Sequence, residues 1–215
     1  MAHSDLRELM GNIYRSEAPK GPSPAYSAAH VVKLLRILQE EVTMGRITLA
    51  KRLGIGEGSV RTIIKRLLEM SLISVDAVGG CHLTPKGESV VADLGKVMVS
   101  AGAIGLKEMG VASPAYAIQL RGILAIPSAT KLRDEAVRSW AEGMMVFQDI
   151  LGRIALPLIS EDIAKEYPVL DATIKSRFSP KNRDLLLVSF SNDPLDAELG
   201  ALSVSLNLIY SLLYQ

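Results

Sequence analysis

Hydrophobic positions along the first hundred residues recur mainly at helical spacing. After Ser27, a suitable N-cap, Val31, Leu34, Leu35 and Leu38 form one stripe while Lys33, Arg36 and Gln39 take the other side. The segment Arg46–Lys65, RITLAKRLGIGEGSVRTIIK, predicts two helices. The first runs from Thr48 to Leu53 and stops at Gly54, and the second follows Gly56–Gly58 with Val60, Ile63, Ile64, Leu67 and Leu68 facing inward. The period then changes. Leu72–Val78 and Cys81–Thr84 read as strands around a Gly79-Gly80 tip, and Thr84 and Pro85 open a helix striped by Val90, Val91, Leu94 and Val97. Ahead of all this, Pro19, Gly21, Pro22 and Pro24 break up the first 26 residues, leaving Asp5–Met10 as a short turn of helix.

The second half alternates the two periods. Tyr116–Gly122 predicts a strand and Ser128–Gly143 a helix with Leu132, Ala136, Val137 and Trp140 on its apolar side. Met144–Asp149 and Arg153–Leu156 predict a hairpin around Leu151-Gly152, and Ile163–Lys175 a helix interrupted at Pro168. Asp184–Phe190 reads as a strand buried on both faces, and Asn192 or Asp193 caps a long last helix with Pro194 in its first turn. The fold class expected is α/β (α+β). Its second half has the order β-α-β-β-α-β plus a helix, the split βαβ or ferredoxin-like arrangement. Apolar residues on more than one face of the last helix leave two readings, a homodimer interface or packing across the chain's own sheet.

Boundaries follow from punctuation: an extension over 1–26, a first domain over 27–100, a linker over 101–114 rich in glycine and alanine, and a second domain over 115–215. The chain's formal net charge of +1 conceals a division, since residues 1–100 carry a net +3 and residues 101–215 a net −2. A hydrophobic fraction of 48% with 22% charged residues excludes a disordered chain, and a single cysteine excludes a disulfide framework or a cysteine-rich metal site. The N-terminal residues do not read as a secretory signal, and no charge-free run of membrane-spanning length stands out, so a cytoplasmic protein without a membrane partner is expected.

Two helices joined by a tight glycine turn constitute a helix-turn-helix, and the hairpin and closing helix behind it complete the winged-helix order. Double-stranded DNA is the expected partner. Arg61 is the first candidate for a base contact and Thr62 the second, with Ser59, Lys65 and Lys51 placed for phosphates. Arg66, with Arg46 and Arg52, is a weaker phosphate candidate, and Glu57 at the head of the helix suits its dipole. A domain at +3 is a modest electrostatic footprint, which favours two copies on a palindromic site, paired through the C-terminal domain.

A small-molecule effector is a further candidate partner. Asn192 and Asp193 open a helix where free N–H groups can hold a polar group, and Arg121, Arg133 and Arg138 could supply positive charge; equally, the first two simply cap and the arginines are solvated. No cofactor and no metal are expected. His3, His30 and His82 all lie in the first half, and neither a phosphate loop nor a GxGxxG occurs, so no catalytic residues are assigned and a non-enzyme is expected. The alternative keeps the winged helix but docks it onto protein.

Leu49, Ala50, Leu53, Gly54, Ile55, Val60 and Ile63 resemble the helix-turn-helix of bacterial and archaeal transcription regulators, with Ala50 at the helix crossing and Gly54 in the turn. LTPKGESV is similar to the passage from wing to last helix in many such regulators. With YAIQLRG and LLLVSFSNDPLDAELGALSVSL, the whole chain resembles archaeal proteins that place a winged helix before a domain of unknown function, DUF4443. The resemblance implies a DNA-binding regulator and adds no chemistry for the second domain.

Overall fold

A computed structural model describes residues 4–16, 25–123 and 127–214. The chain divides into two compact units at Gly95/Lys96.

In the first unit α1 (Ser4–Ser16) and α2 (Ala28–Glu41) precede a two-residue strand, β1 (Met44–Gly45). Then come α3 (Arg46–Leu53), α4 (Glu57–Glu69), the hairpin β2 (Ile73–Val75) and β3 (Gly80–Leu83), and α5 (Pro85–Val97). Leu34, Leu35 and Leu38 of α2, Leu49 and Leu53 of α3 and Val60, Ile63 and Leu67 of α4 are all buried, so the stripes read from the sequence meet in one core. Gly54 ends α3 in the left-handed conformation (φ 66°), and its N–H reaches back to the carbonyls of Ala50 and Lys51. The sheet order is β1-β3-β2, all antiparallel, with Met44 opposite Cys81 and Val75 opposite Cys81 on its other side. The short strand β1 was not foreseen, and α1 is a full helix of 13 residues where only a turn was expected. A Cβ on Gly87 would stand 2.0 Å from the carbonyl oxygen of Leu72, so the glycine in LTPKGESV lets α5 lie directly on the strand leading into the wing.

In the second unit a five-stranded sheet runs β4-β5-β8-β6-β7, every pairing antiparallel. Its strands are β4 (Met98–Ile104), β5 (Ala115–Leu120), β6 (Gly143–Ile150), β7 (Arg153–Ala155) and β8 (Leu185–Phe190). Because β8 lies between β5 and β6, the connection through α6 (Ala129–Arg138) is a split βαβ. The same holds for the connection from β7 through α7 (Pro168–Phe178) to β8, which straddles β6.

Leu170, Ile174 and Phe178 of α7 pack with Phe147, Leu186 and Val188 on one face, while α6 and α8 (Pro194–Tyr214) cover the sheet otherwise. Strand β8 is thus buried on both faces, as its unbroken apolar run predicts.

The stretch 101–114 is not a linker. Its first residues belong to β4, which the sequence reading missed altogether. Small residues there reflect a covered strand edge: Arg177 of α7 lies against Gly102 and donates from Nη1 to the Ala103 carbonyl at 2.6 Å. Helix α8 is 21 residues long with a mean hydropathy of 1.3, enough by length and composition to cross a membrane, yet most of it is buried inside the chain. From Leu199 to Ile209 every residue but the half-buried Ser203 and Asn207 is buried, so the wide apolar arc is largely used inside the chain.

Candidate nucleic-acid interface

The α3–α4 pair presents one polar face. Val60, Ile63 and Leu67 anchor α4, which turns Arg61, Thr62 and Lys65 to solvent and leaves Ser59 half-buried at the helix start. Lys51 is exposed on α3. Thr62 donates its hydroxyl to the Gly58 carbonyl (3.1 Å), so it offers a partner chiefly its methyl group.

Ion pairs hold three of the surrounding cations: Arg46 with Glu57 (3.5 Å), Arg52 with Glu41 (3.3 Å) and Lys65 with Glu69 (3.9 Å). All six groups are well exposed, so each pair is worth well under about 1 kcal/mol and yields readily to a phosphate. Glu57, read as a dipole partner, is also the carboxylate that positions Arg46. Arg61 makes no ion pair among the described residues.

Between α4 and the wing lies an open groove of about 580 Å³, lined by Arg46, Ile47, Arg61, Val75 and Val78. The wing tip is built by Asp76, whose carboxylate accepts from the N–H groups of Val78 (3.0 Å) and Gly80 (2.8 Å). The tip carries no lysine or arginine, and Val78 is 93% exposed.

Arg66 is half-buried. Its guanidinium sits 5.5 Å from the centre of the Tyr26 ring, on the side of α4 turned away from Arg61. Five residues on from Arg61, helical geometry carries it about 140° around the axis.

Of the candidate effector residues, Arg121 lies apart from Asn192 and Asp193. Arg121 forms a two-pronged ion pair with buried Asp184, Nε to Oδ1 at 3.1 Å and Nη2 to Oδ2 at 2.7 Å. Gln119 (2.7 Å) and the Lys181 N–H (2.9 Å) complete the carboxylate's partners. Burial alone would raise the Asp184 pKa, but these donors, led by Arg121, hold it below the usual carboxylate range.

Asn192 and Asp193 follow the opposite end of β8, about 20 Å along the strand. There Asn192 donates to Glu142, and Asp193 caps α8 by accepting from the Leu195 N–H at 2.8 Å. Arg133 and Arg138 lie exposed on α6. No local pattern announces the half-buried Glu135, bonded by Asn207 of α8, whose carboxyl burial pushes up to about 7 against the opposing pull of Arg138.

Among the described residues no group of three His, Cys, Asp or Glu side chains could hold a metal ion.

The geometry defines a winged helix-turn-helix followed by an α/β sheet unit. Residues 30–98 match the "CggR N-terminal DNA binding domain" and residues 111–208 the "Domain of unknown function (DUF4443)". The solved structure of "Hypothetical protein PH0730 from Pyrococcus horikoshii OT3" shares the fold, with a TM-score of 0.72 at 24% identity over 86% of this chain and 94% of that one. A search of curated proteins returned no match.

Proposed function

We propose that the protein is a sequence-specific transcriptional regulator that reads double-stranded DNA with α4 in the major groove and performs no catalytic step. The observation that carries this reading is the exposed Arg61 on a helix whose opposite side is locked into the core. Its guanidinium can take a guanine edge in two hydrogen bonds, and the Thr62 methyl suits a thymine. Ser59, Lys65 and Lys51 take phosphates, and Arg46 and Arg52 join them as their exposed pairs open. The wing, without a cation, contributes little to backbone binding.

Two copies bind a palindromic site, paired through the C-terminal unit, and the protein works in the cytoplasm beside its DNA. The last turn of α8, where Leu212 and Tyr214 are exposed, offers the part of that helix open to such pairing. Selection of duplexes from a random library, followed by footprinting, tests the proposal. Two half-sites with centres about 10 base pairs apart are expected. Recovery of unrelated sequences, or of a single unpaired half-site, overturns specificity or pairing respectively.

One observation favours a second reading, docking onto protein. Ile47, Val75 and Val78 form an exposed apolar patch beside the acidic Asp76, a surface better suited to a protein than to a phosphate backbone. Under that reading, removing the cations of α4 leaves partner binding intact.

A further inference from the structure

Behind the recognition helix lies a cavity of about 240 Å³, set among α1, the start of α2 and the inner side of α4. Its walls are chiefly apolar, with Ile13 from α1, Val31 from α2, and Ile63 and Leu67 from α4. Five polar residues interrupt them, Asn12, Ser27, Glu69, Tyr26 and Arg66, of which the last two sit together. Tyr26 is only 9% exposed, lines the cavity, and its hydroxyl has no hydrogen-bond partner among the described residues. An orphaned phenol of this kind costs about 1–3 kcal/mol unless something fills the site. Arg66 holds its guanidinium over the Tyr26 ring. Burial pushes the Tyr26 phenol up, against the pull of Arg66, so the hydroxyl stays protonated and can donate.

We infer that this cavity is an effector site for a compact monocarboxylate with an aromatic or branched aliphatic body, its carboxylate taken by Tyr26 Oη and Arg66 and its body by the apolar walls. The class follows from the lining. With the Ser27 hydroxyl held by His30 Nδ1 (3.0 Å), Tyr26 Oη and Arg66 match a single carboxylate, whereas the second charge of a phosphate dianion would be repelled more strongly by Glu69 at the cavity wall. The volume admits a molecule of roughly ten non-hydrogen atoms and is below the usual range of sites for larger ligands.

Regulation follows from position. Ile63, Arg66 and Leu67 lie on the same helix as Arg61, so a ligand that fills the cavity fixes the tilt of α4 and changes its fit to the major groove. This last step rests on the DNA-binding reading; the binding site itself does not.

The test uses the full chain and three probes: phenylacetate, 4-methylpentanoate and the neutral phenylacetamide. Calorimetric titration is expected to show saturable one-to-one binding of both carboxylates, with the amide at least tenfold weaker. Tyr26→Phe weakens phenylacetate about tenfold, the loss of one hydrogen bond. Arg66→Met weakens the carboxylates and leaves the amide unchanged. Ala28→Leu, which fills the cavity from its wall, abolishes binding while circular dichroism shows the fold retained.

No saturable binding of either carboxylate, or equal binding by wild type and Tyr26→Phe, overturns the site. Binding that leaves duplex affinity unchanged at saturating phenylacetate overturns the regulation. If the ligand-free protein binds no duplex at all, the DNA-binding reading fails, and the calorimetric result still decides the site.

Discussion

Arg121 and Asp184 provide a quantitative test of what an arginine at a strand end is for. Asp184 is 3% exposed and accepts four hydrogen bonds, two of them from Arg121, whose own side chain is 38% exposed. Removing one member of a fully buried pair costs about 3–5 kcal/mol, and the exposure of Arg121 screens part of that. Arg121→Met should therefore cost about 2–3 kcal/mol, leaving the carboxylate to Gln119 and the Lys181 N–H. Asp184→Asn should cost about 3 kcal/mol, because an amide NH₂ would then face the donors of Arg121 or Gln119. The double variant should cost less than the sum by about 1.5–2 kcal/mol, the coupling of the pair.

Urea unfolding followed by fluorescence measures this directly, since Trp140 is the chain's single tryptophan and lies in the C-terminal unit. The pH dependence carries a sign of its own. A carboxyl held below its ordinary value in the fold stabilises above the unfolded pKa and loses that contribution as pH falls through it. Wild type should thus lose stability in acid more steeply than Asp184→Asn. Additive single-variant costs, with coupling below about 0.5 kcal/mol, would refute the structural role and return Arg121 to the pool of ligand contacts.

Other consequences can be measured alongside. Gly87→Ala forces a methyl onto the Leu72 carbonyl and should cost about 3 kcal/mol by thermal unfolding, whereas Gly95→Ala on the same helix, where a Cβ meets nothing within 4 Å, should be neutral or stabilising. Glu135, with a pKa of about 7 in the fold against an ordinary 4.5, binds its proton more tightly folded than unfolded, so its contribution falls as pH rises from 4.5 through 7. Glu135→Gln should remove that decline and, after allowance for partial exposure, leave the variant about 1 kcal/mol more stable than wild type at pH 8 in urea titrations. His30 runs the other way: burial and Lys33 lower it to about 4, so its contribution is present above pH 6.5 and is lost as pH falls toward 4, a slope that His30→Asn should flatten. Arg66→Ala should change duplex affinity less than twofold in anisotropy titrations while removing about 0.5–1 kcal/mol of stability with the Tyr26 contact.

The sequence made the helix-turn-helix legible because its signals are local. Ala50, Gly54 and the stripe Val60, Ile63, Leu67 each act within one or two helical turns. The interface residues Arg61, Thr62 and Lys65 were readable for the same reason: once Val60 and Ile63 point inward, helix geometry places them outside. The contact of Arg66 with Tyr26, forty residues away, had no such local signal. Strand β4 was missed because Ala101, Gly102 and Ala103 carry little β propensity, and pairing with β5 and the cover of Arg177 decide the matter. The Arg121–Asp184 pair spans 63 positions and the Glu135–Asn207 bond spans 72, and neither separation leaves a trace in local pattern.

The function proposed for the first unit depends on α4 reading DNA through its exposed cations. Salt-dependent fluorescence anisotropy with duplex fragments, comparing wild type with Arg61→Ala/Lys65→Ala, tests it most directly. Wild type should bind selectively and more weakly as salt rises, with loss of about 1–3 kcal/mol and of sequence preference when Arg61 is removed, and a shallower salt slope once Lys65 is gone. Absence of binding, or equal affinity of the two proteins at every salt concentration, would contradict it and favour protein docking through the apolar patch of Ile47, Val75 and Val78.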